Sequence, residues 1–417
     1  MVVPVLSYRV HARTYHPKSS MQMSVPSCSL HPRATELVDE FISWRHHLHA
    51  HPETAFEENL TSAFVAEKLK SFGLEVKTGI AKTGVVATLH GNKGAGKRIG
   101  LRADMDALDI HETTNLPYAS KHPGKMHACG HDGHMTMLLG AAKILAENPD
   151  FAGTVDFIFQ PAEENEGGGR EMVNEGLFDS HPVDTVYGMH NWPGRDIGTM
   201  AVKAGPMMAS YDVFEIVIEG KGCHAAMPHL GHDPITTAGQ VLLALQTIVA
   251  REINPLKSAV ISPTQIFGGD TWNVIPNTAT IRGTVRTFDP DIQDVIEARL
   301  VETAKHTARA LGCDARVNYQ RRYPATINSP AESEIALSVA SKIVGVDQVD
   351  TNPEPSMASE DFAFMLNVKP GCYIWLGNGP TDGDRLLHNA AYDFNDDAIT
   401  HGVSYWIALV KEALSRD

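Results

Sequence analysis

Long apolar runs are missing from this chain of 417 residues, as are paired cysteines and any excess of basic charge. No window approaches the roughly 20 consecutive apolar residues that a membrane-spanning helix needs. The first thirty residues scatter Arg, His, Pro and Ser without a continuous apolar stretch, which argues against a secretory signal. Residues 1–30 are expected to form a mobile or loosely packed arm, with Met21 or Met23 as alternative starts. The five cysteines, Cys28, Cys129, Cys223, Cys313 and Cys372, are odd in number and widely spaced, and none forms a C-x-x-C pair. A disulfide framework is therefore not expected, and a reducing cytoplasm is the default setting. The formal net charge of −15 argues against nucleic acid or an anionic membrane surface as a partner.

The chain exceeds the size at which single cores stop growing, so two domains are expected. Helical spacing starts near Thr35, and a second amphipathic helix runs from Leu60 to Phe72. Strand-like runs follow at 84–90, 98–104, 154–160 and 184–190, with a buried helix at 135–145. Strands alternating with helices predict an α/β fold with a largely parallel sheet. Between 211 and 319 the order changes to β-α-β-β-α-β, the split ferredoxin-like unit. After Pro324 the first pattern returns, with a helix at 333–344, a strand at 372–376 and a final helix at 398–414. The smaller domain is thus read as an insertion, 205–322, within a larger domain made of 31–204 and 323–417.

One string stands out for its chemistry. Met126-His127-Ala128-Cys129-Gly130-His131-Asp132-Gly133-His134 gathers a thiol, three imidazoles and a carboxylate ahead of an apolar helix. Thiolate and imidazole together suit Zn²⁺ and its transition-metal neighbours. Cys129 and His131 can reach one ion through the Cys-Gly-His turn. His134, on the first helical turn, serves either as a ligand or behind one. Asp132 is read as a helix cap. Other donors follow strands of the large domain: Asp104 at the end of 98–104 and Asp106 just after it, Glu163 and Glu164 after 154–160, His190 at the end of 184–190, and His388 beyond the last strand. Ligands of open α/β sheets gather beyond the carboxyl ends of the strands, so these groups can converge. Of the adjacent pair Glu163-Glu164, one carboxylate can bind metal while the other acts as general base. One of Asp104 and Asp106 is expected behind a ligating imidazole. In the smaller domain, the loop with His224 and His229, the Asn273–Asn277 segment, and Arg282 with Arg286 on one strand face are weaker signals.

Assembled, these residues resemble peptidase family M20, and within it the branch of hippurate hydrolases, N-acyl-L-amino acid amidohydrolases and auxin-conjugate hydrolases. The resemblance runs from about Glu36 to the C-terminus, through LRADMDAL, MHACGHDGH, QPAEE, GMHNWP, GCHAAMPH, NVIPNTATIRGTVRTF, SEDFAFM and LHNAAYDFND. It implies a metal-dependent, exopeptidase-like catalytic domain with an inserted lid or dimerisation domain, acting on small N-acyl amino acids, as a homo-oligomer (dimer or tetramer). Carried onto matching positions, it makes Cys129, His131, Glu164, His190 and His388 the ligands of two divalent ions (Zn, Mn, Co or Ni). The thiolate of Cys129 is shared, with His131 and His190 completing one site and Glu164 and His388 the other. Glu163 becomes the general base, Asp106 its support, and His224 a group near the scissile carbonyl, often supplied by the partner subunit. Asn273 and Arg286 match residues that recognise the substrate carboxylate. Asp109, Cys223, Ala358 and Ala390 depart from the family's pattern, and none of these changes removes a ligand or the base. A metallo-dipeptidase or aminopeptidase on the same ions is the alternative, and a non-catalytic metal-binding protein the more distant one.

Overall fold

Runs such as TVDFIFQ and GCYIWLG are apolar at nearly every position, and a strand sends successive side chains to opposite faces. Such strands need cover on both sides, the condition of a parallel sheet between helices. The computed structural model describes residues 29–164 and 166–415, so residues 1–28 of the expected arm lie outside the described residues. An eight-stranded sheet runs in the order Glu75–Ile80, Gly84–His90, Thr154–Gln160, Arg98–Asp104, Thr185–Trp192, Gly371–Gly377, Met200–Ala201 and Val349–Asp350. The four middle long strands, from Thr154–Gln160 to Gly371–Gly377, are mutually parallel. Their side chains divide as the pleat requires. Val155, Phe157, Phe159 and Ile374 join one core with Phe41, Val65, Leu138, Val339 and Trp406 from five helices. Ile158, Val186, Tyr373 and Trp375 join another, closed by Met172, Leu177 and Met365 from short helices.

The central helix is His131–Glu147, four residues longer at its start than the apolar run alone suggests. Gly130 caps it in the left-handed region (φ 94°), where a Cβ would strike the Asn191 amide at 2.2 Å. Gly133 admits the ring of Phe394, which a Cβ would meet at 2.3 Å. Asp132 corrects the sequence reading: it makes no capping bond, and its buried carboxylate accepts instead from His49 Nδ1 at 2.8 Å. The edge hairpin Glu75–Ile80 with Gly84–His90 was not foreseen in full, because Ala81 and Lys82 make its turn at φ 48° and 70° without glycine or asparagine.

Residues 211–323 form a second, wholly antiparallel sheet, in the order Ala259–Gly268, Thr278–Thr287, Tyr211–Glu219, Asp314–Tyr323. That order is ferredoxin-like. Helices Pro234–Arg251 and Pro290–Ala310 each start at an Asp cap followed by Pro. They bury Val241, Leu245, Ile296 and Leu300 against Phe214, Ile216, Ile281 and Val285. Along Tyr211–Glu219 burial alternates strictly, so only one face of this sheet is packed. The molecule is thus α/β, with a largely parallel sheet and an inserted ferredoxin-like domain. No helix among the described residues is long and apolar enough to cross a membrane.

Candidate metal centre

Parallel strands carry their chemistry at their carboxyl ends, and the donors converge there. The main-chain N–H of His388 donates to Ala128 O at 2.8 Å, which seats the late loop on the Cys129 segment. Asn191 ties the same segment to the strand Thr185–Trp192: its amide donates to Cys129 O at 2.7 Å and its carbonyl accepts from the Tyr392 hydroxyl at 2.7 Å.

Two imidazoles, those of His131 and His190, are oriented by their far nitrogens, which fixes the nitrogen left for a cation. His131 Nδ1 donates to Asp106 O at 2.8 Å, and its buried Nε2 has no hydrogen-bond partner. His190 Nδ1 donates to Asn191 O at 2.6 Å, leaving Nε2 3.4 Å from Cys129 Sγ. His134 differs. Its Nδ1 donates to Asp104 Oδ1 at 2.7 Å, and its Nε2 accepts the N–H of Asn191 at 2.9 Å, so neither nitrogen is free. His134 stands behind the donors.

Among the described residues five sets of donor atoms lie within 4.8 Å of one another, and two of them contain Cys129: Cys129, His131 and His190, and Cys129, Glu164 and His388. Cys129 is common to both. His388 Nε2 is 3.0 Å from Glu164 Oε1, yet that buried oxygen has no aligned hydrogen bond. Donor atoms packed this closely without hydrogen-bond alignment are the arrangement that a shared cation requires. Charge points the same way. Asp104, Asp106, Glu163, Glu360 and Asp361 are buried and Glu164 nearly so, and Arg102 reaches three of them, Asp104 at 2.8 Å, Glu360 at 2.9 Å and Asp361 at 3.0 Å. Buried negative charge on this scale is costly without compensating cations. Burial and then the carboxylates of Glu164, Glu163 and Asp104 push the Cys129 thiol well above its ordinary value, so a thiolate there requires a cation. Burial opposes protonation of His131, but Asp104 and Asp106 outweigh it and hold the imidazole up to about 10, a proton that a metal would displace. The sulfur, nitrogen and oxygen donors fit one or two transition ions.

Glu163 and Glu164 sit on a strained turn. Ala162, just before them, adopts φ 51°, and its N–H is held by Glu58 Oε1 at 2.9 Å. The two oxygens of Asp106 accept the N–H groups of Glu163 and Glu164 at 3.0 and 2.9 Å. Asp106 therefore sets the direction of both carboxylates through the main chain. Burial, then Glu360 and Glu164, push the Glu163 carboxyl well above the usual range. The N–H of Asp361 donates to Glu163 Oε1 at 3.3 Å.

A cavity of about 370 Å³ opens over these donors, lined by Cys129, Glu163, His388 and Trp192 together with Tyr211 and Arg286 from the inserted domain. Arg286 has no carboxylate partner among the described residues, and its buried Nη1 makes no hydrogen bond. His224 and Asn273 are not brought to this cavity. They lie together and exposed, His224 on a short two-stranded ladder and Asn273 in the turn just before it, where Ala225 N donates to Asn273 O at 3.0 Å. Sequence reasoning missed Glu58, Arg102, Asn191 and Tyr323, and gave no role to Glu360 and Asp361 although their SEDF motif stood out. A charged residue inside the apolar strand Arg98–Asp104 was the available signal for Arg102.

Residues 100–412 match the model of peptidase family M20/M25/M40. The chain is 44% identical over 364 residues to an N-acetyl-L-cysteine deacetylase of Bacillus subtilis, covering 87% of this chain and 85% of that protein. It is 42% identical over 387 residues to a hippurate hydrolase of Campylobacter jejuni, covering 93% of this chain and all (100%) of the other. Among solved structures, a Bacillus subtilis protein described as a dinuclear metal-binding peptidase of the M20 family superposes with a TM-score of 0.80 at 35% identity, over 91% of this chain and 99% of that one.

Proposed function

Since the chain belongs to peptidase family M20 and is an amidohydrolase of that family, we propose that it cleaves the amide bond of N-acyl-L-amino acids, releasing a carboxylic acid and a free amino acid. One observation carries the substrate class: an unpaired guanidinium, Arg286, lines the same cavity as the donor cluster and Glu163. A guanidinium binds a carboxylate through two parallel hydrogen bonds, and the amino acid end of such a substrate offers one. Relatives named for acting on N-acetyl-L-cysteine and on hippurate support the same reading.

In this reading Cys129, His131, Glu164, His190 and His388 hold two divalent ions, drawn from Zn, Mn, Co and Ni. Bound there, the cations supply Lewis acidity toward water and the scissile carbonyl. Glu163 takes the proton of the attacking water and returns it to the leaving amine, a role that its place in the cavity beside His131 and Glu164 suits. Asp106 keeps Glu163 and Glu164 on their separate tasks through the two N–H groups it accepts. Arg286 orients the substrate by its carboxylate.

His224 and Asn273 extend the reading to a pair of chains. Neither lines the cavity of its own chain, and the neighbouring edge strand Ala259–Gly268 exposes Ile266 and Phe267. A dimer, or a tetramer built from dimers, through the inserted domain (205–322) would let a second copy present His224 to the carbonyl oxygen and Asn273 to the carboxylate. Free thiols at Cys129, Cys223, Cys313 and Cys372 suit a reducing cytoplasm.

The test is a panel of N-acetyl, N-benzoyl and longer N-acyl amino acids, their carboxamide counterparts and free dipeptides, each assayed with Mn²⁺, Co²⁺ and Zn²⁺. Acyl amino acids should be preferred over the carboxamides by at least about tenfold, the value of a charge-assisted hydrogen bond. Preference for free dipeptides would transfer the protein to the dipeptidase reading.

A further inference from the structure

A residue outside the donor set closes the turn that bears Glu163. Tyr323, buried, donates its hydroxyl to Glu163 O at 2.5 Å and accepts the N–H of Gly167 at 3.0 Å. One hydroxyl thus bridges the segment that begins at the left-handed Ala162. Tyr323 ends the strand Asp314–Tyr323, by which the chain leaves the inserted domain, and Tyr211 begins the strand Tyr211–Glu219, by which it enters. The two are register partners across an irregularity that leaves Arg322 as an extra residue. Opposed residues of an antiparallel pair share a face, so this bulge is what turns Tyr323 to the side of Tyr211. Their rings meet edge to face with centroids 6.2 Å apart. The guanidinium of Arg286 lies 4.3 Å above the Tyr211 ring.

Arg286, Tyr211, Tyr323 and the Glu163 carbonyl therefore form one line of packed contacts, crossing from the inserted domain to the catalytic turn. We propose that Tyr323 is a positioning residue that couples capture of the substrate carboxylate at Arg286 to the placement of Glu163. The proposal rests on the acyl-amino acid reading of the site. A carboxylate held by Arg286 restrains the guanidinium against Tyr211, and Tyr211 in turn restrains the ring whose hydroxyl holds the base turn. A substrate without the carboxylate leaves this line slack.

The experiment compares wild type, Tyr323→Phe, Tyr211→Leu and the double variant, each loaded with Mn²⁺, on an N-acyl amino acid and its carboxamide. Tyr323→Phe keeps the ring contacts with Tyr211 and Phe364 and removes only the hydroxyl. It should retain metal content and KM while kcat on the acid falls roughly tenfold, the effect of losing one buried hydrogen bond. On the carboxamide the loss should be about threefold smaller. Tyr211→Leu should show the same bias toward the acid, and the double variant should lose less than the product of the two single effects. Equal losses on both substrates, or unchanged kcat in Tyr323→Phe, would overturn the coupling while leaving the acyl-amino acid reading intact. A wild type inactive on both substrates would overturn that reading and the coupling with it.

Discussion

In the central sheet both faces are covered by helices and the charged groups at its strand ends are almost wholly buried. The inserted sheet packs two helices on one face and leaves the other half-exposed. Two of the donors in the first region carry a second bond that fixes their direction, His131 on Asp106 O and His190 on Asn191 O. The inserted domain contributes Arg286 and Tyr211 to the cavity, and its other candidates, His224 and Asn273, stand exposed. The comparison separates two origins for one cavity: the donor cluster is set by the parallel sheet, whereas Arg286 and Tyr211 arrive on a module with its own core.

The largest effect should come from the rigid region. Glu163→Gln should lower kcat by 10²–10⁴, the usual worth of a general base, while metal stoichiometry and KM hold; near-normal turnover would remove Glu163 from that role. Next is the independence of the two cores. Leu300→Ala, in the inserted core, should cost about 2–5 kcal/mol by opening a cavity beneath the second sheet. If the modules are separate, calorimetry should show an early transition for the inserted domain with metal still bound. A single, uniformly lowered transition would merge the two regions.

How far these regions were legible in the sequence follows from the range of the contacts. Cys129 and His131 are neighbours along the chain, so their chemistry could be read directly. His190 and His388 depended on strand ends converging. The ferredoxin-like order of the inserted domain was readable because its strands alternate and its helices start at Asp-Pro. Arg102, Glu58 and Tyr323 were not, since each acts through partners scores of residues away. Nor could spacing decide the part played by His134, which is fixed by the main-chain N–H of Asn191. The turn at Ala81-Lys82 was hidden for a local reason, the absence of the residues that favour its conformation.

A smaller effect would sharpen the charge side of the comparison. Burial pushes Glu58 up to about 7, against the hydrogen bond from Thr83. Its neutral form is favoured in the folded state, so this contribution is complete below the unfolded pKa near 4.5 and is lost as pH rises through 7. Glu58→Gln does not titrate. Relative to wild type it should therefore gain stability between pH 5 and 8, on the order of 2 kcal/mol in urea unfolding. A difference that stays flat with pH would mean that Glu58 is ionised throughout.

The proposal that one sulfur serves both ions is tested most directly by metal analysis of dialysed protein. Wild type should bind two equivalents of Mn²⁺ or Zn²⁺ per chain, and Cys129→Ser should lose at least one of them while the fold, followed by circular dichroism, is unchanged. Two tightly held equivalents in Cys129→Ser would contradict a thiolate common to both sites.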